Sequence, residues 1–279
     1  MASPDIFDRS ARRRRRDRAA AGYGAHDFLR AAMLDGIADR LGAVTRDFTD
    51  VLDLGCFDAA FVPPPGTRVA RLDPGFGFAK AGGGVQADED RLPFADGAFD
   101  LVVAAGTLDS VGDLPGALTL IRRTLRPDGL FLGAFVGGNS LSTLRAVLRE
   151  AEGDRPVARL HPMVDLRSAG DLLVRAGLTL PVADSETLTV RYASFGRLLD
   201  DLRGMAGSNL LASRHPLRRD ALARAAAAFA ARSGPDGRTD ERFDLIFLTG
   251  WSPSPDQPKP ARRGSAGASL AAALRPPSG

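Results

Sequence analysis

Short apolar runs alternate with amphipathic segments along most of the chain. Runs of strand length occur at residues 50–54, 68–72, 85–87, 99–105 and 130–136, and again at 178–180, 187–191 and 243–251. Apolar residues recur at helical spacing in residues 5–21, 27–41, 114–125, 141–152, 166–176, 195–205 and 217–232. This alternation predicts an α/β fold, with a mostly parallel sheet of about seven strands and helices on both faces. Ligands of such a sheet bind at the carboxyl ends of its strands.

Two connections in the first half have unusual compositions. Pro63, Pro64 and Pro65 follow the first strand and leave room for at most one or two helical turns between residues 58 and 62. Residues 75–84 contain five glycines, which predicts a loop.

The same pattern divides the chain into three parts. Residues 1–45 hold two leading helices, and residues 46–251 hold the sheet domain with a helical insertion near residues 140–240. Residues 252–279 form a tail rich in proline, serine and arginine. The tail has few large apolar residues, so we expect it to be poorly ordered and flexible.

Acidic and small residues stand where the early strands end. Asp53 and Gly55 close the first strand, where a glycine lets the backbone turn tightly and approach a ligand. Asp73 lies 20 residues after Asp53, the spacing at which doubly wound folds place a ribose-binding carboxylate. Asp88 follows the third strand and Ala105 ends the fourth, so we expect the site among these positions. Each acid also has a structural interpretation, as a turn residue or part of a solvated cluster.

Composition narrows the chemistry further. An apolar fraction of 44% supports a full core, and no apolar run approaches the roughly 20 residues that cross a bilayer. The single cysteine, Cys56, excludes an internal disulfide and a cysteine metal cluster. His26, His161 and His215 form no i, i+4 pair, so we expect no metal site.

An unbroken run of arginines occupies residues 12–16 and continues at Arg18. With a formal charge of +3 and a pI of about 9.6, the run fits an arm that meets nucleic acid or an anionic membrane, or a solvated helix face. We favour the solvated face and expect no nucleic-acid partner, while peripheral membrane contact through residues 12–18 stays open. Asp5, Asp8 and Asp17 argue against an organelle transit peptide, and no apolar segment typical of a secretory signal follows the arginines.

The motifs at the strand ends resemble those of class I S-adenosylmethionine-dependent methyltransferases. Residues 53–56 look like their first motif, residues 92–102 like the run into their fourth strand, and residues 125–130 like their turn into the fifth. The resemblance implies that fold, with S-adenosylmethionine as the cofactor, Asp73 on its ribose and Asp88 on its adenine. The cofactor-binding residues that it implies are Asp53, Gly55, Asp73, Asp88, Glu89 and Ala105. No catalytic residue is assigned.

A narrower resemblance spans nearly the whole chain. Residues 6–9, 137–145, 171–177, 201–209, 250–251 and 257–266 look like the family of the mitochondrial complex I assembly factor five and its bacterial relatives. This resemblance implies a protein substrate, a subunit of the respiratory NADH dehydrogenase, and arginine hydroxylation rather than methyl transfer. It also implies a cytoplasmic protein that can lie peripheral to the inner membrane. The malonyl-carrier-protein methyltransferase of biotin synthesis is a related alternative, but it lacks the 257–266 signature.

The chain departs from the family at the expected ligand site. The family shows Gly-x-Gly where this chain has Phe57, Asp58 and Ala59, and His-Trp where it has Asp109 and Ser110. Two interpretations therefore stay open: an S-adenosylmethionine-dependent enzyme, or a non-catalytic assembly factor with a vestigial pocket. If the side chains of Phe57 and Ala59 point away from the strand ends, the pocket can remain. If they fill it, the protein is a scaffold.

Overall fold

A computed structural model describes residues 5–153, 155 and 157–257 and confirms the predicted α/β fold. One sheet contains seven strands: β1 (Asp50–Leu54), β2 (Arg68–Asp73), β3 (Val85–Gln86), β4 (Phe99–Ala105), β5 (Leu125–Gly137), β6 (Thr179–Tyr192) and β7 (Thr239–Trp251). The α-helices are α1 (Arg9–Ala20), α2 (Phe28–Gly42), α3 (Phe76–Ala81), α4 (Leu114–Thr124), α5 (Ser142–Glu152), α6 (Leu166–Arg175), α7 (Phe195–Gly204) and α8 (Arg219–Ala230). Short 3-10 helices cover Tyr23–Ala25 and Leu108–Ser110.

The strand order places the expected site at one edge of the sheet. The order is β3-β2-β1-β4-β5-β7-β6, and the first five strands in this order run parallel. β7 lies between β5 and β6 and is antiparallel to both. The carboxyl ends of β1, β2, β3 and β4 therefore meet on the same side, as the sequence pattern predicts.

Two apolar layers cover the sheet. Met33 and Ile37 of α2, Leu144 of α5, Leu198 of α7 and Phe229 of α8 pack against one face. Leu118 and Ile121 of α4 and Leu173 of α6 pack against the other. Successive side chains of β4 alternate between the layers, with Val102 in the second and Val103 in the first. This explains why β4 is apolar throughout rather than alternating.

The glycine-rich segment contains a helix, so the loop predicted over residues 75–84 is wrong. α3 covers six of these residues, and its Phe78 is buried at 1% exposure. The glycines serve another purpose, because α1 lies directly against them. A Cβ on Gly75 would come within 2.7 Å of the Arg16 Cβ, and one on Gly77 within 3.0 Å of the Ala20 Cβ.

Two further connections differ from the sequence prediction. The strands predicted at 178–180 and 187–191 are one strand, β6, which keeps Pro181 because it lies at the edge of the sheet. A bulge between Thr179 and Val182 absorbs the irregularity, and Leu180 has a φ of 49°. Between Gly55 and Thr67 no helix forms, since Ala59 has a φ of 58° and three prolines follow.

Within the described ranges, no helix has both the length and the apolar character needed to span a bilayer. The prediction of a flexible tail and most of the 257–266 signature concern residues 258–279, which lie outside the described residues.

Candidate functional site

The turn after β1 keeps a glycine-like backbone although two of its residues carry side chains. Gly55 has a φ of 70°, and Phe57 and Ala59 have φ values of 47° and 58°. A left-handed backbone conformation costs a residue that carries a Cβ about 1–2 kcal/mol. At Gly55 a Cβ would also lie 2.4 Å from the Thr107 Cβ, so the turn packs tightly on the end of β4. The shape of the first motif is therefore retained, at a cost in strain.

The Phe57 ring fills space beside the strand ends. It is 2% exposed and stacks on Tyr23, with ring centroids 4.9 Å apart and an interplanar angle of 25°. Phe78 of α3 meets it edge-on at 5.3 Å. The guanidinium carbon of Arg16 lies 3.8 Å from the centroid of the Phe57 ring. The ring thus forms a platform on which an α1 arginine rests.

Asp73 is fully engaged by the protein itself. Arg16 donates from Nε to Oδ1 at 2.9 Å and from Nη2 to Oδ2 at 2.7 Å. The backbone N–H groups of Phe57 and Gly75 donate to the same carboxylate at 3.0 and 2.7 Å. Asp73 has no exposed surface, and its four hydrogen bonds use the acceptor capacity of an ionised carboxylate.

Glu89 is held in the same way by the preceding turn of α1. Arg12 donates to Glu89 through Nη1 at 2.5 Å and Nη2 at 2.9 Å. Arg12 also donates to the Thr107 carbonyl at 2.9 Å and to the Ser110 hydroxyl at 3.0 Å. The Thr107 hydroxyl donates to Glu89 as well. Arg12 is 4% exposed and Glu89 is fully buried.

The remaining acids of this edge also bind arginines of α1. Arg13 donates to Asp88 at 2.6 Å, and Arg9 bonds Asp90 through both terminal nitrogens. The expectation that the arginine run is a solvated face is therefore wrong for Arg12 and Arg16, which are buried. It is also wrong to expect the whole run to contact a membrane, because these two side chains point into the protein.

Asp53 lies apart from the α1 arginines. It has no exposed surface, and neither of its oxygens accepts a hydrogen bond from the described residues. Its ion-pair partners are too distant for hydrogen bonds. Arg30 Nη2 lies 3.8 Å from Oδ1 of Asp53, and Arg71 Nε lies 3.7 Å from Oδ2. Burial raises the pKa of Asp53 to about 6, against the opposing effect of the two arginines.

A cavity of about 630 Å³ has Phe57 among its lining residues. Its surface is mostly apolar and is formed by residues of α1, α2, α5, α7 and the segments around residues 160 and 210. Five arginines are among the lining residues: Arg15, Arg30, Arg159, Arg203 and Arg214. Gly106 and Asp109, which follow β4, are among its lining residues. Neither Asp53, Asp73, Asp88 nor Glu89 lines it. The cavity therefore does not include the acids that bind the α1 arginines, although Arg15 of α1 is one of its lining residues.

Among the ionisable groups that line this cavity, Asp109 and His161 have displaced pKa values that affect their charge near neutral pH. Asp109 is half-buried, and burial raises the pKa of its carboxyl to about 6. Burial lowers the pKa of His161 to about 4, so its ring is neutral at pH 7. The His161 Nε2 accepts a hydrogen bond of 2.8 Å from the Leu210 N–H, which leaves the proton on Nδ1. No described group of His, Cys, Asp and Glu residues has the arrangement of a metal site.

The structure brings together only some of the residues predicted for the cofactor. Asp73, Asp88 and Glu89 gather around α1, whereas Asp53 faces Arg30 and Arg71. Gly55 and Ala105 are buried in the packing of β1 and β4. Sequence reasoning missed the inward direction of Arg12 and Arg16, although their spacing of four residues puts both on one helix face. It noted Asp109 only as a departure from the family.

This arrangement does not fit S-adenosylmethionine. A ribose diol needs free acceptor oxygens, and both oxygens of Asp73 already take bonds from Arg16 and from the backbone. The Glu89 carboxylate is likewise bonded by Arg12, and the Phe57 ring stacks on Tyr23 beside the β1 turn. The cofactor would have to displace buried side chains of this chain.

Comparisons with known proteins support the observed fold and identify proteins to which this chain is similar. The sequence profile of the family described as methyltransferase domain matches residues 52–133. The chain is 34% identical to the mitochondrial arginine-hydroxylase NDUFAF5 of Danio rerio, over 96% of this chain and 89% of that protein. It is 29% identical to the malonyl-[acyl-carrier protein] O-methyltransferase of Laribacter hongkongensis, over 88% of this chain and 90% of that protein. Among solved structures, YcgJ from Bacillus subtilis superposes with a TM-score of 0.54 and 15% identity, over 80% of this chain and 99% of that one.

Proposed function

The chain belongs to the NDUFAF5 family of methyltransferase-fold proteins, and from this premise we propose that it acts on an arginine-bearing segment of a protein partner. The proposed partner is a subunit of the respiratory NADH dehydrogenase, and the proposed place of action is the cavity beside β4. The relatives' description as arginine hydroxylases supports arginine as the target side chain.

The carboxylate of Asp109, a residue that lines the cavity, carries this proposal. Asp109 is the one acid among the described residues that line the cavity, where apolar side chains are interspersed with five arginines. Its own backbone N–H and the charges of Arg12 and Arg16 already favour its ionised form, so an arriving guanidinium would join existing cations. A guanidinium is the natural complement of such a carboxylate, because planar N–H donors match two carboxylate oxygens. The apolar walls suit the methylene stem of an arginine side chain.

The volume and the pKa of the site fit this ligand. A cavity of about 630 Å³ lies within the usual size range of small-molecule pockets, which is large enough for an arginine side chain. The pKa of Asp109 is about 6, so the carboxylate is charged at pH 7 and becomes neutral as the pH falls below that value. Attraction for a guanidinium should therefore weaken on acidification.

A second candidate function is supported by the closed acid cluster. Since Asp73 and Glu89 are saturated by Arg16 and Arg12, the protein can act as an assembly factor that binds its partner without cofactor chemistry. In that case the cavity still binds the arginine segment, but no covalent change follows.

The test compares arginine modification in cells of the source organism with and without this protein. NADH dehydrogenase is purified from the deletion strain carrying the wild type, Asp109→Asn or Asp96→Asn, and its peptides are analysed by mass spectrometry. Asp96 is exposed and pairs with Arg123 away from the cavity, which makes it the matched control. We expect one arginine in the wild type and in the control to carry either an added oxygen, whose insertion requires an oxidant supplied by the cell, or a methyl group, for which S-adenosylmethionine would have to be the donor. Asp109→Asn should lower the occupancy of that modification about ten-fold or more.

The two candidates give different results. Loss of the modification in the deletion strain and in Asp109→Asn supports the modifying enzyme. If the deletion strain lacks assembled NADH dehydrogenase while no arginine changes mass in any strain, the non-catalytic function is correct. Normal assembly and unchanged peptides in the deletion strain would contradict both.

A further inference from the structure

Four arginines of α1 form a set that pairs with the acids at the carboxyl ends of β2 and β3. Arg9, Arg12, Arg13 and Arg16 follow the i, i+3, i+4, i+7 spacing that defines one helix face. Each bonds an acid at the carboxyl ends of β2 and β3: Asp90, Glu89, Asp88 and Asp73 respectively. Arg14 and Arg18 of the same helix are exposed, and no ion pair joins them to another described residue.

The contact is closely built. Gly75 and Gly77 of the opposing segment carry no side chain where α1 approaches, and a Cβ at either position would collide with α1 or touch it closely. The guanidinium carbon of Arg16 lies 3.8 Å from the centroid of the Phe57 ring. The Nε and Nη2 atoms of the same guanidinium donate hydrogen bonds to Asp73. Arg12 and Arg16 are both 4% exposed. A helix held only by loose surface pairs would not bury these groups.

We infer that α1 occupies the nucleoside site, the region around the Asp73 and Glu89 carboxylates at the carboxyl ends of β2 and β3. In this position α1 competes with S-adenosylmethionine for Asp73 and Glu89. The Arg16 guanidinium takes the acceptors that a ribose diol requires, and the Arg12 guanidinium closes the adjoining acid. The docked protein therefore excludes the cofactor, and cofactor binding requires α1 to leave. This inference concerns the nucleoside site alone and does not depend on the arginine-bearing partner.

Isothermal titration with S-adenosylmethionine and S-adenosylhomocysteine tests the competition. The full chain is compared with Arg12→Met/Arg16→Met, and with the control Arg14→Met/Arg18→Met, which removes the same charge from the exposed face. We expect the wild type and the control to bind equally weakly, and the inward variant to bind about ten-fold more tightly or better. Equal affinity of all three proteins would overturn the proposal, whether they bind tightly or show no heat at near-millimolar ligand.

The Arg12→Met/Arg16→Met variant leaves two buried acids without cations and could misfold. A double variant that keeps both positive charges therefore provides a second test. Arg12→Lys/Arg16→Lys keeps the charges but loses the two-pronged bonds and the flat stack on Phe57. Its cofactor affinity should lie between that of the wild type and that of the methionine pair, with Arg14→Lys/Arg18→Lys unchanged from the wild type. No gain in affinity for the inward lysine pair would count against the competition.

Hydrogen exchange on the wild type gives a readout that needs no variant. With near-millimolar S-adenosylhomocysteine, amides of residues 9–20 should exchange faster than in the free protein, because the ligand shifts the population toward undocked α1. Slower exchange of the same amides would mean that α1 and the ligand bind together, which contradicts the proposal. An unchanged exchange rate at a saturating ligand concentration contradicts it equally.

Discussion

At the residue scale, Asp53 and Asp73 show how differently one fold can treat two neighbouring acids. Asp73 receives four hydrogen bonds, two of them from Arg16. Asp53 receives none from the described residues, and its cations stay 3.7 Å or more away. Burial without hydrogen bonds disfavours the charged carboxylate, which accounts for the raised pKa of Asp53.

The raised pKa predicts that Asp53 destabilises the folded protein at neutral pH. Between about pH 4 and 6 the folded state binds more protons at this residue than the unfolded state, so stability falls as the pH rises through that window. Asp53→Asn removes the charge with little change of shape. At pH 8 we expect the variant to be more stable by about 1–3 kcal/mol, with the difference shrinking toward pH 5.

Urea unfolding at pH 5 and pH 8 measures this difference. Asp96→Asn is the control, because Asp96 is exposed and should change stability little at either pH. A variant that is less stable than the wild type at pH 8 would show that attraction to Arg30 and Arg71 outweighs the burial of Asp53.

At the element scale, the placement of α1 depends on small residues in the segment that it covers. Gly75 has ordinary extended backbone, with a φ of −83° and a ψ of 127°, so alanine there meets no backbone restriction. The obstacle is the Arg16 Cβ, 2.7 Å from where the new methyl group would lie. α1 must shift to accept the methyl group, and the bonds from Arg16 to Asp73 must lengthen.

Gly75→Ala should therefore loosen α1 in particular. We expect a loss of about 1–3 kcal/mol in the free energy of unfolding, as for other overpacked contacts, and faster hydrogen exchange over residues 9–20. Gly22→Ala is the matched control, because a Cβ on Gly22 meets nothing within 4 Å and its φ is −121°. If both variants have the same stability and the same exchange in α1, the close approach of α1 to Gly75 is wrong.

The element scale also shows which parts of the structure the sequence could predict. The order of strands and helices followed from apolar periodicity, because each buried element leaves its own repeat in the sequence. α3 was missed because its glycines were interpreted as flexibility, although they make room for another helix. The apolar pattern predicted two short strands where the structure has the single strand β6, whose edge position accommodates Pro181.

The acids of the site were predictable and their partners were not. Asp73, Asp88 and Glu89 lie at strand ends, which periodicity locates. Their binding to Arg16, Arg13 and Arg12 joins positions about 57 to 77 residues apart, and no local signal in the sequence specifies such pairs.

At the scale of the whole molecule, the segment that leads into α1 packs against a loop around residue 210 that contributes to the cavity lining. Phe7 and Leu211 form an antiparallel bridge, and the Asp8 N–H donates to the Leu210 carbonyl at 2.9 Å. Arg214 donates to Asp8 at 2.6 Å. His161 joins the same region, since it accepts from the Leu210 N–H and its ring meets Phe7 edge-on at 5.0 Å. Acid cluster, α1 and cavity thus form one connected structure.

His161 makes this connection sensitive to pH. Its pKa falls from 6.5 to about 4 on folding, so below pH 6.5 the unfolded state binds more protons at this residue and stability declines as the pH drops. His161→Gln removes the titration and keeps an acceptor for the Leu210 N–H. The advantage of the wild type over His161→Gln in free energy of unfolding should shrink by about 1 kcal/mol between pH 7.5 and pH 5, after allowance for the half-buried position. Urea unfolding measures it, with the exposed His215 changed to Gln as the control. A difference between wild type and His161→Gln that stays constant with pH would show that His161 is protonated without cost where it contacts Phe7, and that acid does not loosen the segment leading into α1.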